Sequence, residues 1–289
     1  MKTVLTFFIL LYFISCKSAS KPTPENLPRE IKSKTATTSV FGGLEDGLYA
    51  VLYGKGKYPN YLTDSGEKEG EQELAFFFYL IKQNKRIILV DSGISSEETR
   101  SKYGIQNWIS PDKILLKAGI RPNMVTDIIL THFHFDHAGG LDLFHNARIY
   151  VRPQEWELLK KTNWFVNQAK ILHAKENDRK VIFLQSSVEL FPNFRIIFTG
   201  GHTPGHSAVE WLRAPKNRVL ITGDECYFIE HCIEGTGLPI SSASSVRNNR
   251  EFLHYVELLA EQGAKIFTFH DPIILEQNPE IFPRIFKIY

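Results

Sequence analysis

The first apolar run, Val4 to Ile14, is interrupted only by Thr6 and follows Met1-Lys2. It is too short and too near the terminus for an ordinary membrane span, and reads as an export signal. From Lys17 to about Ser39 the chain is rich in Lys, Ser, Thr and Pro with no apolar period, which predicts a flexible tether. Short apolar runs follow. Gly47-Val51, Leu74-Ile81 and Arg86-Val90 predict strands, the last two joined through Gln83-Asn84-Lys85 as a hairpin. Ser110-Pro111 predicts a helix start and Gly119 its stop. Asp127-Leu130 and Ala147-Val151 predict strands, and Pro153 opens a helix through Lys161. Residues 162–180 keep no clean period. Strands are predicted again at Arg195-Phe198 and Val219-Asp224. A helix over Ser245-Gln262 carries Phe252, Val256 and Leu259 at helical spacing and ends at Gly263. A final strand covers Lys265-Phe269.

Strands alternating with helices over residues 39–289, with no second linker and no repeat, suit an α/β domain. Lys and Arg number 34 against 32 Asp and Glu, a net charge of +2, which gives no electrostatic case for nucleic acid. Of the three cysteines, Cys16 closes the export signal. Cys226 and Cys232 remain, so a disulfide framework is not what holds the domain together.

The chemistry concentrates after the strand Asp127-Leu130, in Thr131-His132-Phe133-His134-Phe135-Asp136-His137-Ala138-Gly139-Gly140. In extended backbone His132, His134 and Asp136 face one cavity, Phe133 and Phe135 pack behind, and His137 turns elsewhere. Imidazoles and a carboxylate suit zinc or another borderline first-row ion, and this set exceeds what one open tetrahedral centre uses, so two neighbouring metals are expected. Core histidines satisfied by hydrogen bonds are the plain alternative. Further along, Thr199-Gly200-Gly201-His202-Thr203-Pro204-Gly205-His206-Ser207 is a tight loop able to aim a side chain back at a cavity. The strand Val219-Asp224 ends in a glycine and in Asp224, a carboxylate suited to bridging two cations, or else a turn aspartate. The strand Lys265-Phe269 presents His270.

The stretch THFHFDHAGG resembles the HxHxDH signature of the metallo-β-lactamase superfamily. With Phe135, Ala138 and the two glycines included, it looks most like the N-acyl homoserine lactonase branch. The resemblance implies a four-layer αββα sandwich with two divalent metal ions, zinc being expected, at one edge between two sheets. It implies His132, His134 and His206 on one ion, Asp136, His137 and His270 on the other, and Asp224 with a hydroxide bridging. His206 is the ligand by similarity to a TPGHS element; His202 is expected to be a supporting or surface residue. Asp91-Ser92-Gly93 resembles a turn that supports the site from below. Tyr227 stands where the branch carries a tyrosine reaching over the metals. Residues 162–180, with Trp164, Phe165, Val166 and His173, sit where many members place a substrate-facing insertion, and are a candidate acyl-chain wall or ordinary packing. His231 and His254 read as surface or packing residues, and His145 and His173 stay unassigned.

The implied activity on a small-molecule substrate is opening of the N-acyl homoserine lactone ring, a quorum-quenching reaction. Hydroxide attacks the carbonyl, the Tyr227 hydroxyl assists the oxyanion and Asp136 ferries a proton to the leaving alkoxide. A thioesterase like glyoxalase II, a phosphodiesterase or a β-lactamase uses similar ligands, although zinc β-lactamases lack the bridging aspartate. The diiron oxygen or nitric oxide reductases usually replace the residue at His137 and carry a flavin domain. Phe13-Ile14-Ser15-Cys16 resembles a bacterial lipobox, which implies lipidation of Cys16 and an exported, membrane-anchored protein of the periplasm or cell surface. An ordinary cleaved signal and an uncleaved anchor are the alternatives, and both also place the domain outside the cytoplasm.

Overall fold

The structure is a computed structural model that describes residues 43–63, 69–214 and 217–289, all within the unit Thr38–Tyr289. The export signal, Cys16 and the tether lie outside the described residues. Among the described residues, thirteen strands run in chain order: β1 (Gly47–Pro59), β2 (Glu71–Gln83), β3 (Arg86–Val90), β4 (Asp127–Ile129), β5 (Arg148–Val151), β6 (Val181–Phe183), β7 (Val188–Phe191), β8 (Phe194–Phe198), β9 (Ser207–Ala214), β10 (Asn217–Ile221), β11 (Lys265–Phe267), β12 (Glu280–Phe282) and β13 (Ile285–Lys287). They form an eight-stranded sheet, β12-β13-β1-β2-β3-β4-β5-β6, and a five-stranded sheet, β11-β10-β9-β8-β7.

Side chains alternate across a strand, so β1 and β2 supply apolar groups to both faces of the large sheet. Tyr49, Val51, Leu74, Phe76 and Phe78 belong to one core. Leu48, Ala50, Phe77, Tyr79 and Ile81 belong to another. The first core is closed by Ile114 and Leu115 of the helix Pro111–Lys117, by Trp156 and Leu159 of Pro153–Leu159 and by Leu172 of Gln168–Asn177. The second core lies between the sheets, where Phe194, Val209, Trp211, Val219 and Phe267 meet the large sheet. On the far side of the small sheet, Ala208, Leu220 and Ile266 pack against Phe252, Leu253, Val256 and Leu259 of the helix Val246–Glu261. The layers are therefore helix, sheet, sheet, helix, as the resemblance implied.

The β2–β3 hairpin forms as the sequence predicts, with Gln83 paired to Arg86 and Asn84 at φ 56°, a left-handed conformation that asparagine tolerates better than most residues. The long helix begins at Ser245, whose side chain accepts a hydrogen bond from the Asn248 N–H. Residues 162–180 are not irregular throughout, because Gln168–Asn177 is helical. Its only buried side chains are Gln168, Leu172 and Lys175, too polar a stripe to register as a helical period. At the edge that matters for function, β3, β4 and β5 run parallel, with Val90 beside Ile129 and Ile129 beside Tyr150. The loops that follow β3 and β4 thus leave the sheet side by side.

Leu253 is buried where the long helix meets the small sheet. Leu253→Ala is expected to destabilise the domain by about 2–5 kcal/mol through lost burial and an unfilled cavity. Denaturant unfolding of both proteins measures it, and a loss below about 1 kcal/mol at unchanged slope would show that this layer does not pack as described.

Candidate metal centre

Asp91, directly after β3, has φ 63° and is buried. Its carboxylate accepts hydrogen bonds from the Thr131 N–H and Thr131 Oγ1, both at 2.7 Å, and from His137 Nδ1 at 2.7 Å. Donation from Nδ1 turns the His137 Nε2 lone pair away from Asp91, a support that commonly orients metal-binding histidines. Ser92 holds the same turn: its N–H and hydroxyl both donate to the His137 carbonyl at 2.8 Å. The two glycines are there for space. A Cβ on Gly139 would lie 2.1 Å from the Phe135 carbonyl, and one on Gly140 would lie 2.2 Å from that of Ser92. The expected supporting turn is thus present.

The extended ladder over His132, His134 and Asp136 is not what forms. His134 caps a short helical turn, Phe135–Ala138. Residues on a helical turn do not alternate, so Asp136 and His137 both reach one cluster while His132 and His134 reach another. Two groups of ligand atoms result: His132, His134 and His202; and Asp136, His137, Asp224 and His270. In the first, His134 Nδ1 is 3.0 Å from both His132 Nε2 and His202 Nε2. In the second, Asp136 Oδ2 is 3.5 Å from both His137 Nε2 and His270 Nε2. Asp224 joins them: Oδ1 lies 3.2 Å from His137 Nε2 and 3.3 Å from His270 Nε2, and Oδ2 lies 3.8 Å from His132 Nε2 and His202 Nε2.

The histidine from the glycine-rich loop is His202, which corrects the expectation of His206. His202 Nδ1 is bonded to the Ser242 carbonyl at 2.7 Å, which leaves Nε2 for the cluster. Both nitrogens of His206 are engaged elsewhere, Nδ1 with Thr199 Oγ1 at 2.7 Å and Nε2 with the Asp224 N–H at 3.0 Å. The sequence offered two histidines four residues apart, and only the path of the loop tells which enters the cavity. The other side of this loop is pinned by Glu155, a residue the sequence reading passed over. It accepts from the Phe133 N–H at 3.0 Å, Thr203 Oγ1 at 2.8 Å and the Gly205 N–H at 2.6 Å, and so ties the two histidine loops together.

The residues fit a cation. His137 Nε2, His270 Nε2 and Asp224 Oδ1 are buried without a hydrogen-bond partner, an expensive arrangement unless an ion completes it. Burial, reinforced by the neighbouring histidines, holds His132 well below the ordinary histidine pKa; burial and His202 bring His134 down to about 3. Neutral rings are what a metal requires. Burial works against charge on Asp224, yet His137 and His270 keep its carboxyl well below the usual range.

Above the clusters lies a cavity of about 540 Å³, with His134, Asp136, His202, Asp224, Tyr227 and His270 among its lining. The Tyr227 ring lies 5.2 Å from that of His270 and 6.3 Å from that of His202. Burial, then Asp224 and Asp136, push its hydroxyl well above the ordinary pKa, so it remains an O–H donor. The walls are largely apolar and include Leu62, Leu74, Phe76, Phe133, Phe135 and Leu158. Phe133 and Phe135 therefore line the cavity instead of only packing behind the histidines. None of the described residues 162–180 lines it, which corrects the candidate wall. Trp164 backs the wall: its Nε1 donates to the Phe133 carbonyl at 2.9 Å, and its ring meets Phe135, itself stacked on Tyr103 at 3.7 Å. His145, His173, His231 and His254 lie outside both clusters. Cys226 and Cys232 form a disulfide six residues apart in sequence, a local clip and no framework.

A family model described as "Metallo-beta-lactamase superfamily" matches residues 77–236. Among curated proteins, N-acyl homoserine lactonase AttM of Azorhizobium caulinodans is 32% identical over 70% of this chain and 84% of its own. N-acyl homoserine lactonase AiiA of Bacillus thuringiensis subsp. kurstaki is 26% identical over 73% of this chain and 86% of its own. Similar solved structures include an N-acyl homoserine lactone hydrolase with the product N-hexanoyl-L-homoserine bound at its catalytic metal centre, at TM-score 0.68 and 22% identity, over 82% of this chain and 97% of that one. AidC, a dizinc quorum-quenching lactonase, is similar at TM-score 0.60 and 20% identity over 79% and 90% of the two chains. The matched segment carries six of the seven clustered side chains and the matched relatives span most of the domain, so the chain belongs to the metallo-beta-lactamase superfamily.

Proposed function

We propose that this chain is a dinuclear metal-dependent hydrolase that opens the lactone ring of N-acyl homoserine lactones, in keeping with the activity for which its relatives AttM and AiiA are named. The observation that carries the reading is Asp224, buried between two ligand clusters at the floor of an apolar-walled cavity. His132, His134 and His202 would hold one ion and Asp136, His137 and His270 the other, with Asp224 shared. Two divalent ions, for which zinc suits the imidazole and carboxylate set, would supply hydroxide near neutral pH and polarise a carbonyl.

The protein's own groups do the rest. The Tyr227 hydroxyl is the donor available to the oxyanion that forms as the carbonyl is attacked. The Asp136 carboxylate can carry a proton to the ring oxygen as the lactone C–O bond breaks. Leu62, Phe133, Phe135 and Leu158 give an acyl chain an apolar surface and exclude water from the floor.

The purified domain is expected to bind two metal ions per chain, and His202→Ala to lose one far more readily than His206→Ala does. Metal analysis of the three proteins decides this; equal loss in both variants, or full loading and unchanged activity in Asp224→Ala, would break the ligand assignment. In an assay comparing acyl homoserine lactones with thioesters, phosphodiesters and β-lactams, the lactones are expected to be opened fastest. Tyr227→Phe should lower turnover by roughly ten- to a thousand-fold with metal content intact. A fully metallated protein that opens no lactone would instead promote the thioesterase or phosphodiesterase reading.

We also propose that the chain is exported and lipidated at Cys16, because the apolar run ends at the only cysteine before the domain and a polar stretch follows. The several acyl chains of a bacterial lipoprotein would make attachment stable, whereas one gives marginal binding. Cys16→Ser should release the protein from the membrane fraction and block normal signal processing. Unchanged fractionation, or an unmodified residue 16 by mass spectrometry, would end the lipidation proposal.

A further inference from the structure

Glu225 follows the shared Asp224 but points the other way. It is fully buried, and Oε1 accepts three hydrogen bonds from the loop that delivers His202: Thr199 Oγ1 at 2.6 Å, the Gly201 N–H at 2.9 Å and the His202 N–H at 3.2 Å. Oε2 accepts from Asn249 Nδ2 at 2.7 Å, and the same amide donates to the Glu225 carbonyl at 2.7 Å. Asn249 lies on the long helix Val246–Glu261 and is itself fixed by the Leu238 N–H at 3.0 Å to its Oδ1. The fit leaves no slack: a Cβ on Gly201 would lie 2.1 Å from Glu225 Oε2. Glycine is the residue that lets the loop backbone reach this carboxylate.

His202 is therefore held at three points. Its N–H meets Glu225, its carbonyl accepts from the Ser244 N–H at 3.1 Å, and its Nδ1 meets the Ser242 carbonyl at 2.7 Å. Ser242 and Ser244 belong to the segment leading into the long helix. Of the three, the Glu225 contact alone connects His202 to the backbone segment that carries Asp224. We propose that Glu225 is a positioning residue that fixes His202 against Asp224, and thereby sets the geometry of the His132–His134–His202 metal site. The inference rests on the reading of these clusters as metal sites.

Glu225→Gln tests it with little change in shape. Glutamine has one acceptor oxygen where the carboxylate has two, and whichever way its amide turns, an NH₂ group faces either the loop donors or the Asn249 amide. The measurement is a titration of the metal-free full-length protein with Co²⁺, followed by visible absorption, which reports ligand geometry and affinity without any substrate. In wild type two ions should bind. In Glu225→Gln the ion at the His132–His134–His202 site should bind about 10–100-fold more weakly with an altered spectrum, while the ion at the Asp136–His137–His270 site fills as in wild type. A merely structural role would weaken both sites together, and that result, like two unchanged sites, overturns the inference. Wild type that takes up no cobalt overturns the metal reading and this inference with it. Two wild-type ions with an unaltered variant overturn this inference alone. If Glu225→Gln does not fold, hydrogen exchange on metal-free wild type decides: the Gly201 and His202 amides should be protected, and exchange of both at the rate of an unstructured peptide overturns the assignment.

Discussion

Everything at the catalytic edge answers to one constraint, the burial of negative charge between two groups of histidines. Asp224, Asp136 and Asp91 are all buried within reach of His137. An isolated buried carboxylate is costly enough that it must be paired, protonated or given a cation. Burial disfavours charge on His137, yet Asp224, Asp136 and Asp91 outweigh it and raise the pKa of that ring well above its ordinary value. The protein alone thus already recruits positive charge to this point. Divalent ions would supply that positive charge in place of the ring proton, and would also complete the unpartnered Nε2 atoms of His137 and His270.

Such a site has to be held from outside, since its own members repel or compete with one another. The fold supplies this by burying both faces of the large sheet, which leaves the ends of β3 and β4 as fixed, adjacent platforms. Asp91 leaves one and Thr131 the other, and they bond to each other before either reaches the site. The loop from the small sheet is attached to this frame through Glu155 on a helix of the outer layer. The clusters therefore rest on supports from more than one layer: Asp91 after β3 and the Ala75 carbonyl of β2 hold His137 and His270, and Glu155 holds the loop that carries His202. Such supports keep ligands in place when an ion is absent, which lowers the ordering cost of binding one.

The elements legible in the sequence were those whose signal is local. The β2–β3 hairpin, the helix from Ser245 and the turn at Asp91 each announce themselves through a few neighbouring residues, and all are present. The chemistry of the clusters was legible for the same reason, because three histidines and an aspartate within six positions leave few other uses. What failed was direction. His202 and His206 are equal in type and flank the same turn, and the choice depends on Thr199 and the Asp224 N–H occupying the ring of His206. The ladder of His132, His134 and Asp136 failed because a helical turn began one residue earlier than an extended reading allows. The helix Gln168–Asn177 went unseen because its buried Gln168 and Lys175 serve hydrogen bonds to the Leu159 and Phe144 carbonyls, so burial there does not track apolarity.

The segment Asp224-Glu225-Cys226-Tyr227 shows how far this compression goes. Asp224 faces both clusters, Glu225 faces the His202 loop, Cys226 is joined to Cys232 of the helix Ile229–Glu234, and Tyr227 lines the cavity. Four consecutive residues cannot take four directions on a strand, whose side chains alternate between two faces. The backbone here departs from helix at Asp224, with φ −93° and ψ 22°, and is extended at Cys226, with φ −157° and ψ 145°. A regular strand would have sent Asp224 and Cys226 to one side and Glu225 and Tyr227 to the other. The irregularity after β10 is thus what allows a carboxylate facing both clusters, a second carboxylate facing the His202 loop, a covalent clip and a cavity hydroxyl to occupy a single stretch of chain. Holding that irregular backbone falls to the contacts around it: the His206 ring on the Asp224 N–H, Asn249 on the Glu225 carbonyl and Thr268 Oγ1 on the Tyr227 carbonyl.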